Sequence, residues 1–322
     1  MERTQTWKDD AMLDPLSLVR LNDGVVDDAG LQGLGLVVAL DGHADAGRAI
    51  RQVRAELLDA LDPVLVATFD ADQLVDYRSR RPQVSFLGDH FADYRAPRIE
   101  LFRLTDGLGK DFLLLTGPEP DLQWERFASA VVLLARSLNV RLAASFGAVP
   151  MPVPHTRRLG VTVHGNRPEL GEGISTWNPT AEVPASASQL IEMRLIEAGR
   201  DAVGYSLHVP HYLADAEYPQ AAVAALEFLG AALGLGLPTD RLRETARRIE
   251  GEIDAQVAGS EDIQRMVSRF EERFDDHVPD TERRSLLLDP NDDVPDGEDI
   301  ASAAEAFLSG RAPEGGAAET GG

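Results

Sequence analysis

Residues 36–50 read Leu36-Val37-Val38-Ala39-Leu40-Asp41-Gly42-His43-Ala44-Asp45-Ala46-Gly47-Arg48-Ala49-Ile50, and this stretch decides the fold class. The five apolar residues at its start are typical of a strand buried on both faces, as in the parallel sheet of an α/β fold. The two glycines predict a tight turn, and Asp45 is placed to cap the helix that follows. A strand that ends in a glycine-rich turn and opens a helix is where α/β proteins usually bind their ligands.

Strand and helix patterns alternate along the chain from that stretch onward. A helical stripe over 46–61 and an apolar strand at 64–69 complete one βαβ unit. Two β-rich runs, 99–105 and 112–116, are joined by a glycine-containing loop and predict a hairpin. Further strands are predicted at 140–149, 160–163 and 202–209, and further helices around 127–138 and over 186–198 and 217–234. This order predicts a three-layer α/β sandwich with a mostly parallel sheet and one embedded hairpin.

The composition changes after Pro238, and we divide the chain there. Apolar stripes over 242–257 and 263–274 flank Ala258-Gly259-Ser260 and predict an antiparallel helical hairpin. Beyond about residue 289 the chain is acidic and rich in small residues, which is typical of disorder. The predicted units are therefore an α/β domain at 1–238, a helical hairpin extension at 239–288 and an acidic, largely disordered tail at 289–322.

The composition also narrows the classes of function. The chain has 31 Lys and Arg against 54 Asp and Glu, a net charge of −23. So acidic a surface repels phosphate backbones and anionic lipids, so we expect neither nucleic-acid nor membrane binding. No apolar run approaches the ~20 residues that span a bilayer. The absence of cysteine excludes disulfides, thiol catalysis and thiolate metal sites, and the cytoplasm is the expected location.

Five segments in order resemble the proteasome assembly chaperone 2 family, in its actinobacterial branch. They are Asp41–Gly47; Phe69–Asp72 continuing through Asp76–Pro82; Gly117-Pro118-Glu119-Pro120 with Trp124 and Phe127; Pro154–Arg158; and Val209-Pro210-His211-Tyr212-Leu213. The predicted helical hairpin resembles the extra C-terminal segment of actinobacterial members.

The resemblance implies an α/β sandwich of the phosphorylase and hydrolase type, usually assembled as a homo-oligomer, with a trimer as one plausible form. It implies a non-catalytic chaperone or scaffold that works by protein–protein interaction, without a cofactor. Its partners would be copies of itself and proteasome subunits or another protein. Members that dock on proteasome rings often end in a hydrophobic residue, tyrosine and any residue, whereas this sequence ends Glu319-Thr320-Gly321-Gly322.

The glycine turn itself admits two chemical interpretations beside a purely structural one. A histidine flanked by carboxylates, as His43 is by Asp41 and Asp45, can act as a proton shuttle. The backbone amides from Gly42 to Gly47 can also cradle an anion. The spacing of the two glycines matches neither a phosphate loop nor a dinucleotide fingerprint, which favours a turn and a helix cap.

Other polar residues follow the ends of predicted strands. His155 and His211 each follow a proline, and with His43 and Asp45 they have the ligand types of a zinc site. They lack the short helical pair of such sites, so we predict loop-orienting hydrogen bonds and no metal. Arg157 and Arg158 can clamp a carboxylate or phosphate, and Glu119 is held on a rigid turn between two prolines.

We therefore assign no catalytic residue and define one candidate ligand or interface site. It comprises Asp41, Gly42, His43, Asp45, Gly47, Glu119, His155, Arg157, Arg158, His211 and Tyr212. Two alternatives to the chaperone or scaffold remain open. One is a phosphorylase- or hydrolase-like enzyme with His43, Asp45, His155, Arg157 and His211 around one pocket. The other is a module that binds an anionic metabolite at the Gly42–Gly47 turn.

Overall fold

The computed structural model describes residues 13–22, 29–174, 180 and 182–277. Its strands are β1 (Val19–Leu21), β2 (Gly35–Asp41), β3 (Val64–Phe69), β4 (Gln83–Leu87), β5 (His90–Arg95), β6 (Ile99–Thr105), β7 (Asp111–Pro118), β8 (Leu142–Met151), β9 (Gly160–Gly165) and β10 (Ala202–Pro210). Its α-helices are α1 (Ala49–Ala60), α2 (Ala71–Leu74), α3 (Trp124–Ser137), α4 (Ala187–Glu197), α5 (Pro219–Leu233), α6 (Asp240–Ala258) and α7 (Glu261–His277).

Within the described residues, eight strands form one sheet in the order β1-β3-β6-β7-β2-β8-β10-β9. The central neighbours β7, β2, β8 and β10 are parallel, and the remaining pairs are antiparallel. In direction, β2, β3, β7, β8 and β10 agree, so the sheet is mostly parallel. Helices cover both faces, and the predicted three-layer α/β sandwich is confirmed.

The two cores follow from the alternation of side chains along buried strands. On β2, Leu36, Val38 and Leu40 belong to the core that contains residues of α3 and α4. The intervening Val37 and Ala39 belong to the core that contains residues of α1 and α5. A run of five apolar residues is needed because this strand has no face in contact with water.

The predicted hairpin is confirmed as β6 and β7, and Asp106 holds its loop. The carboxylate of Asp106 accepts hydrogen bonds from the backbone N–H of Leu108, Lys110 and Gly236, at 2.6 to 2.9 Å. A second hairpin, β4 and β5, was not predicted and forms a separate two-stranded sheet. Its residues are mostly exposed, so its sequence lacks the pattern of a strand that covers a core.

Both predicted C-terminal helices are present as α6 and α7, joined by Gly259 and Ser260. Leu242 and Ala246 of α6 are buried, and Gln220 Nε2 of α5 donates to the carbonyl oxygen of Ala246 at 3.2 Å. The start of α6 therefore packs on the α/β body. The predicted end of the extension at 278–288 and the predicted disordered tail at 289–322 lie outside the described residues.

Candidate functional site

A crevice opens where β2 and β8 diverge. The two strands pair from Gly35 and Leu142 as far as Val38 and Ser145, and they next meet at an isolated bridge between Asp45 and Ala148. Six residues, the end of β2 and the turn after it, therefore span the same gap as two residues of β8. The crevice also lies at a switch in topology, because β2 leads through α1 towards β3 and α3 leads to β8 on the opposite side. Open α/β sheets bind ligands outside the carboxyl ends of strands at such a point.

We call this crevice the α4 cleft, because the first turn of α4 closes one side of it. Its polar lining includes His43, Glu119, Ser145, His164, Gln189 and Ser206. The enclosed volume is about 30 Å³, room for about two water molecules. The His43 side chain is exposed at the cleft. A small polar cleft of this kind admits a small group or the tip of a larger one.

Glu119 ties the glycine turn to the start of α4. Its Oε2 accepts a hydrogen bond from the His43 N–H at 3.3 Å, and its Oε1 accepts one from the Ala187 N–H at 2.6 Å. The side chain is buried. A Cβ on residue 42 would overlap this carboxylate, so Gly42 is required for the close approach.

The N-terminus of α4 is capped twice. Ser186 Oγ accepts from the Gln189 N–H at 3.3 Å, and Gln189 Oε1 accepts from the Ser186 N–H at 2.8 Å, which is a capping box. Glu119 adds a carboxylate on the Ala187 N–H, where a helix favours negative charge. A ligand anion at this helix end would have to displace the carboxylate of Glu119.

Asp45 caps α1, as its sequence position indicates. Its Oδ1 accepts a hydrogen bond from the Ile50 N–H at 2.6 Å, and Arg51 Nε lies 3.4 Å from Oδ2. Only 8 % of the side chain is exposed. This burial raises the pKa of Asp45 to about 6, because desolvation penalises the ionised form more than these partners favour it.

Gly47 and Asp41 complete the turn on either side of the cleft-lining residues. Gly47 has a φ of 67°, donates its N–H to the Ala214 carbonyl at 2.7 Å, and would place a Cβ 2.8 Å from Tyr218. Asp41 has a buried Oδ1 without a hydrogen bond in the described part of the chain, 3.8 Å from Arg54 Nη1. Both residues position the turn and neither lines the cleft.

A hydrogen-bonded chain that was not predicted crosses the cleft. The Nδ1 of His164 lies 2.8 Å from Glu192 Oε1, and its Nε2 lies 3.2 Å from Ser206 Oγ. Ser145 Oγ donates to Glu192 Oε2 at 3.4 Å. Because a carboxylate only accepts, Nδ1 donates to Glu192, and in the neutral ring Nε2 is left to accept from the Ser206 hydroxyl.

The sheet and a glycine bring this chain together. His164 on β9 is the direct partner of Gly204 on β10, and Ser206 lies two residues further along β10 on the same face. A Cβ on residue 204 would overlap both the His164 ring and the Glu192 carboxylate. Gly204 therefore allows the pair of His164 and Glu192 to lie flat over the strand.

His155 and Tyr212 form a second cluster, closed by the C-terminal helices. Tyr212 Oη is 2.7 Å from His155 Nδ1 and accepts from the His155 N–H at 2.9 Å. His155 Nε2 lies 3.3 Å from Asp254 Oδ1 on α6. The ring of His155 is buried, and the partners of its two nitrogens are the side chains of Tyr212 and Asp254. Burial raises the pKa of Tyr212.

Arg157 and His211 hold α7. Arg157 contacts Asp275 through Nε and Nη2, both at 2.8 Å, and Glu271 at 3.2 Å. The His211 ring meets Phe270 edge-on at 5.3 Å. Arg158 is exposed beside them. The bidentate clamp predicted for a ligand anion is thus occupied by the chain's own carboxylates.

The predicted site residues therefore divide into two groups. Gly42, His43 and Glu119 reach the α4 cleft, with Asp41, Asp45 and Gly47 shaping the turn beside it. The other five lie at or beside the seat of α6 and α7: His155, Arg157, Arg158, His211 and Tyr212. The histidines do not share one pocket, since His43 and His164 line the cleft and His155 and His211 do not.

Nowhere in 13–22, 29–174, 180 and 182–277 do three or more histidine and carboxylate side chains gather as metal ligands would. Among the helices described above, none has the length and apolarity to cross a membrane.

Comparison with known proteins places the chain in a family. The model of the PAC2 family matches residues 39–257, more than half of the chain. The chain belongs to the PAC2 family. The resemblance inferred from five sequence segments is thereby confirmed. No curated protein matches this PAC2 family protein.

Solved structures share its fold. A Mycobacterium tuberculosis protein of unknown function, Rv2714, is 44% identical with a TM-score of 0.73, over 80% of this chain and 89% of that one. A Corynebacterium glutamicum protein of unknown function is 36% identical with a TM-score of 0.76, over 80% and 97%. The M. tuberculosis proteasome-assembly chaperone homologue Rv2125 is 24% identical with a TM-score of 0.67, over 73% and 100%, and shows the fold alone.

Proposed function

We propose that this PAC2 family protein acts in the cytoplasm by protein–protein interaction, as a homo-oligomeric chaperone or scaffold. Family membership supports a chaperone-like role, and one structure of the same fold is described as a proteasome-assembly chaperone homologue. The structural observation that carries the proposal is the β4–β5 hairpin. Proteasome subunits are the proposed partners beyond the homo-oligomer.

The β4–β5 hairpin has the properties of a docking arm. Phe86, Phe91 and Tyr94 are exposed at 61, 72 and 60%, and the Phe86 and Phe91 rings contact each other at a tilt of 58°, with centroids 5.1 Å apart. Its two strands pair only with each other among the described strands. An isolated two-stranded hairpin is marginally stable in water, and exposed apolar patches on soluble proteins mark interaction sites.

The charge of the hairpin segment favours a second copy of the chain as the partner that the hairpin binds. Residues 78–98 contain five arginines and two aspartates, namely Arg78, Arg80, Arg81, Arg95, Arg98, Asp89 and Asp93. Arg80 pairs within the chain with Asp121. The whole chain carries −23, so the rest of its surface is complementary to this segment. Apolar rings beside arginines are also typical of interface cores.

The two alternatives have less support from the geometry. An enzyme built on His43, Asp45, His155, Arg157 and His211 requires one pocket, and these residues divide between the cleft and the α7 seat. An anion module at Gly42–Gly47 requires free amides. The His43 N–H already donates to Glu119, and the Gly47 N–H donates to Ala214.

The oligomer is tested by measuring molar mass in solution with light scattering after gel filtration. We expect the full-length chain to be a multimer, and the double variant Phe86→Ser with Phe91→Ser to shift to monomer. Met193→Ser is the matched control, because Met193 is 55% exposed on α4, outside the hairpin. A monomeric parent, or a double variant of unchanged mass, would refute the hairpin as the interface.

The partner is tested by affinity capture of the full-length chain from its own cells. We expect proteasome subunits to be recovered with the parent chain and to be depleted with the hairpin variant. Recovery of the same subunits with both chains would assign the contact to another surface. Absence of proteasome subunits from both captures would count against the assembly role while leaving the homo-oligomer intact.

A further inference from the structure

The α4 cleft is lined by more buried and half-buried polar side chains than protein docking requires. Ser145 and Glu192 are largely shielded from water, and His164 and Ser206 are half-buried. Helices cover both faces of this sheet, and covered faces of parallel sheets are normally apolar. The chain of Ser206, His164 and Glu192 is also independent of the hairpin on which the proposed function rests.

The geometry of this chain is that of an activated serine. Ser206 Oγ lies 3.2 Å from His164 Nε2, which is within reach of a nucleophile and its base in a ligand-free enzyme. On the far side of the ring, His164 Nδ1 lies 2.8 Å from Glu192 Oε1. Such triads are recognised by geometry and role, since the same constellation occurs on unrelated folds in different chain orders.

Each member is held from a different element. Glu192 is positioned by α4. The hydroxyl group of Ser145, on β8, donates to the second carboxylate oxygen of Glu192 at 3.4 Å. His164 lies over Gly204, the residue whose missing side chain leaves room for the ring. A serine held by a histidine that is in turn oriented by a carboxylate satisfies the hydrogen-bond order that nucleophilic catalysis requires.

Donors for a developing oxyanion are also present at the cleft. Ser188 and Gln189 both line the cleft, and each has a donor, the backbone N–H of Ser188 and the side-chain Nε2 of Gln189. The Ser188 N–H belongs to the first turn of α4 and follows the Ala187 N–H, which donates to Glu119. Donors fixed before the reaction supply the stabilisation that acyl transfer needs.

We propose that Ser206, His164 and Glu192 form a catalytic triad that hydrolyses esters of small acyl groups. The Ser206 oxygen attacks the acyl carbon while His164 Nε2 takes the hydroxyl proton. The bond to the alcohol oxygen breaks, and the alcohol leaves with that proton. Water then attacks the acyl-serine and gives a proton to His164, the bond to Ser206 breaks, and the proton returns to the serine. The products are a carboxylic acid and an alcohol.

The size of the cleft limits the substrate. A volume of about 30 Å³ accepts an acyl group of the size of acetyl, with the alcohol portion directed to solvent. Long-chain acyl groups do not fit such a space. His43 is an exposed polar side chain of the cleft lining, so polar alcohols are favoured.

The test is covalent labelling of the full-length protein with a small alkyl fluorophosphonate. The serine oxygen displaces fluoride from phosphorus, and peptide mapping by mass spectrometry locates the adduct. We expect a single adduct at Ser206. Loss of the base in His164→Asn is expected to slow labelling and p-nitrophenyl acetate hydrolysis by at least about 1,000-fold, as in other serine triads.

Two conservative variants separate catalysis from structure. Glu192→Gln keeps the shape of the side chain and selects the wrong histidine tautomer, so a loss of about 1,000-fold or more in kcat is expected with an unchanged far-UV spectrum. Glu197→Gln is the matched control. Glu197 lies on the same helix, and its Oε2 accepts from Arg194 Nη1 at 2.8 Å, outside the residues that line the cleft. This change should leave both rates unchanged.

Three results would overturn the proposal. They are the absence of any adduct on the folded parent chain, an adduct at a serine other than Ser206, and labelling of His164→Asn at the parent rate. Labelling at Ser206 that depends on both His164 and Glu192 would support it. The Phe86→Ser and Phe91→Ser double variant should retain labelling, so failure of the oligomer and failure of the triad are distinguishable.

Discussion

Alternate residues of β8, β9 and β10 build two very different faces. Towards α5, the strands present Phe146, Tyr205 and Leu207, which are buried in one apolar core. Towards α4, the same strands present Ser145, His164, Ser206 and His208. A one-residue step therefore separates a face that stabilises the fold from a face that contains hydrogen-bonded polar groups.

The difference between the two faces indicates which residues stabilise the fold and which have another role. Buried apolar side chains each contribute roughly 1.5–3 kcal/mol to folding, whereas buried polar groups contribute little net and require partners. Nothing about a covered sheet requires serine and histidine at these positions. The residues of the polar face therefore indicate a function, and the following predictions test the difference between the polar and the apolar face.

The largest expected effect comes from truncating a large side chain of the apolar face. Tyr205 is fully buried and its ring is stacked on Phe228, with centroids 5.3 Å apart. Tyr205→Ala should lower the free energy of unfolding by about 3–5 kcal/mol, measured by denaturant titration. The neighbouring Ser206→Ala should lower it by less than about 1 kcal/mol. Similar losses in both variants would show that the polar face is also a stability element.

The next effect concerns Asp45, a buried acid that caps α1 beside the apolar face. Folding raises its pKa from 3.8 to about 6, so its contribution to stability is complete below pH 3.8 and is lost as the pH rises through 6. Asp45→Asn keeps the acceptor for the Ile50 N–H and removes the charge. It should raise the stability at pH 7 by about 2–3 kcal/mol, at the rate of 1.36 kcal/mol per pKa unit.

The measurement is the unfolding free energy of both chains at pH 4 and pH 7. The parent and Asp45→Asn should converge at pH 4, because the aspartate is then mostly neutral in the folded state. An equal difference at both pH values would contradict the titration of Asp45 as its cause.

A somewhat smaller effect of opposite sign is expected from His208 on the polar face. Burial lowers the pKa of His208 from 6.5 to about 4, and Thr162 Oγ1 lies 2.9 Å from its Nε2. Stability due to this residue is present above pH 6.5 and lost as the pH falls through 4. Between pH 7 and pH 5 the parent should lose about 2 kcal/mol through His208, and His208→Gln should not.

The same pH series measures this variant against the parent. Because the titrations of Asp45 and His208 oppose each other, the parent curve alone is flatter than either contribution. The double variant Asp45→Asn with His208→Gln should therefore lose both slopes. If His208→Gln retained the acid-side loss, another group on the α4 face would be responsible.

Sequence patterns predicted the apolar part of the fold well. Strands with runs of buried apolar residues, such as β2 and β3, and helices with one apolar stripe, such as α1, lie within a few residues of their predicted bounds. The β4–β5 hairpin was missed because its strands cover no core, so neither alternation nor an apolar run marks them. Burial of one face gives a sequence a periodic pattern of apolar residues, and the exposed aromatic residues of this hairpin follow no such pattern.

The site was predicted in part, for a related reason. His43 and Glu119 were found because the turn that carries them has a local signature in glycine and proline. His164, Glu192 and Ser206 come from three elements and meet only through the order of strands in the sheet. One pattern in the sequence could have indicated these residues. In Tyr205-Ser206-Leu207-His208, Ser206 and His208 alternate with Tyr205 and Leu207 on a strand that two helical layers were expected to cover.

The position of Glu119 has a consequence for the class of compound that this architecture can select. Many proteins with a strand, a glycine turn and a helix at a topological switch select nucleotides, because the open helix end attracts phosphate. Here the carboxyl group of Glu119 takes that place, buried between the turn and α4. This helix end is therefore not open to a phosphate group, and the cleft beside it suits uncharged compounds.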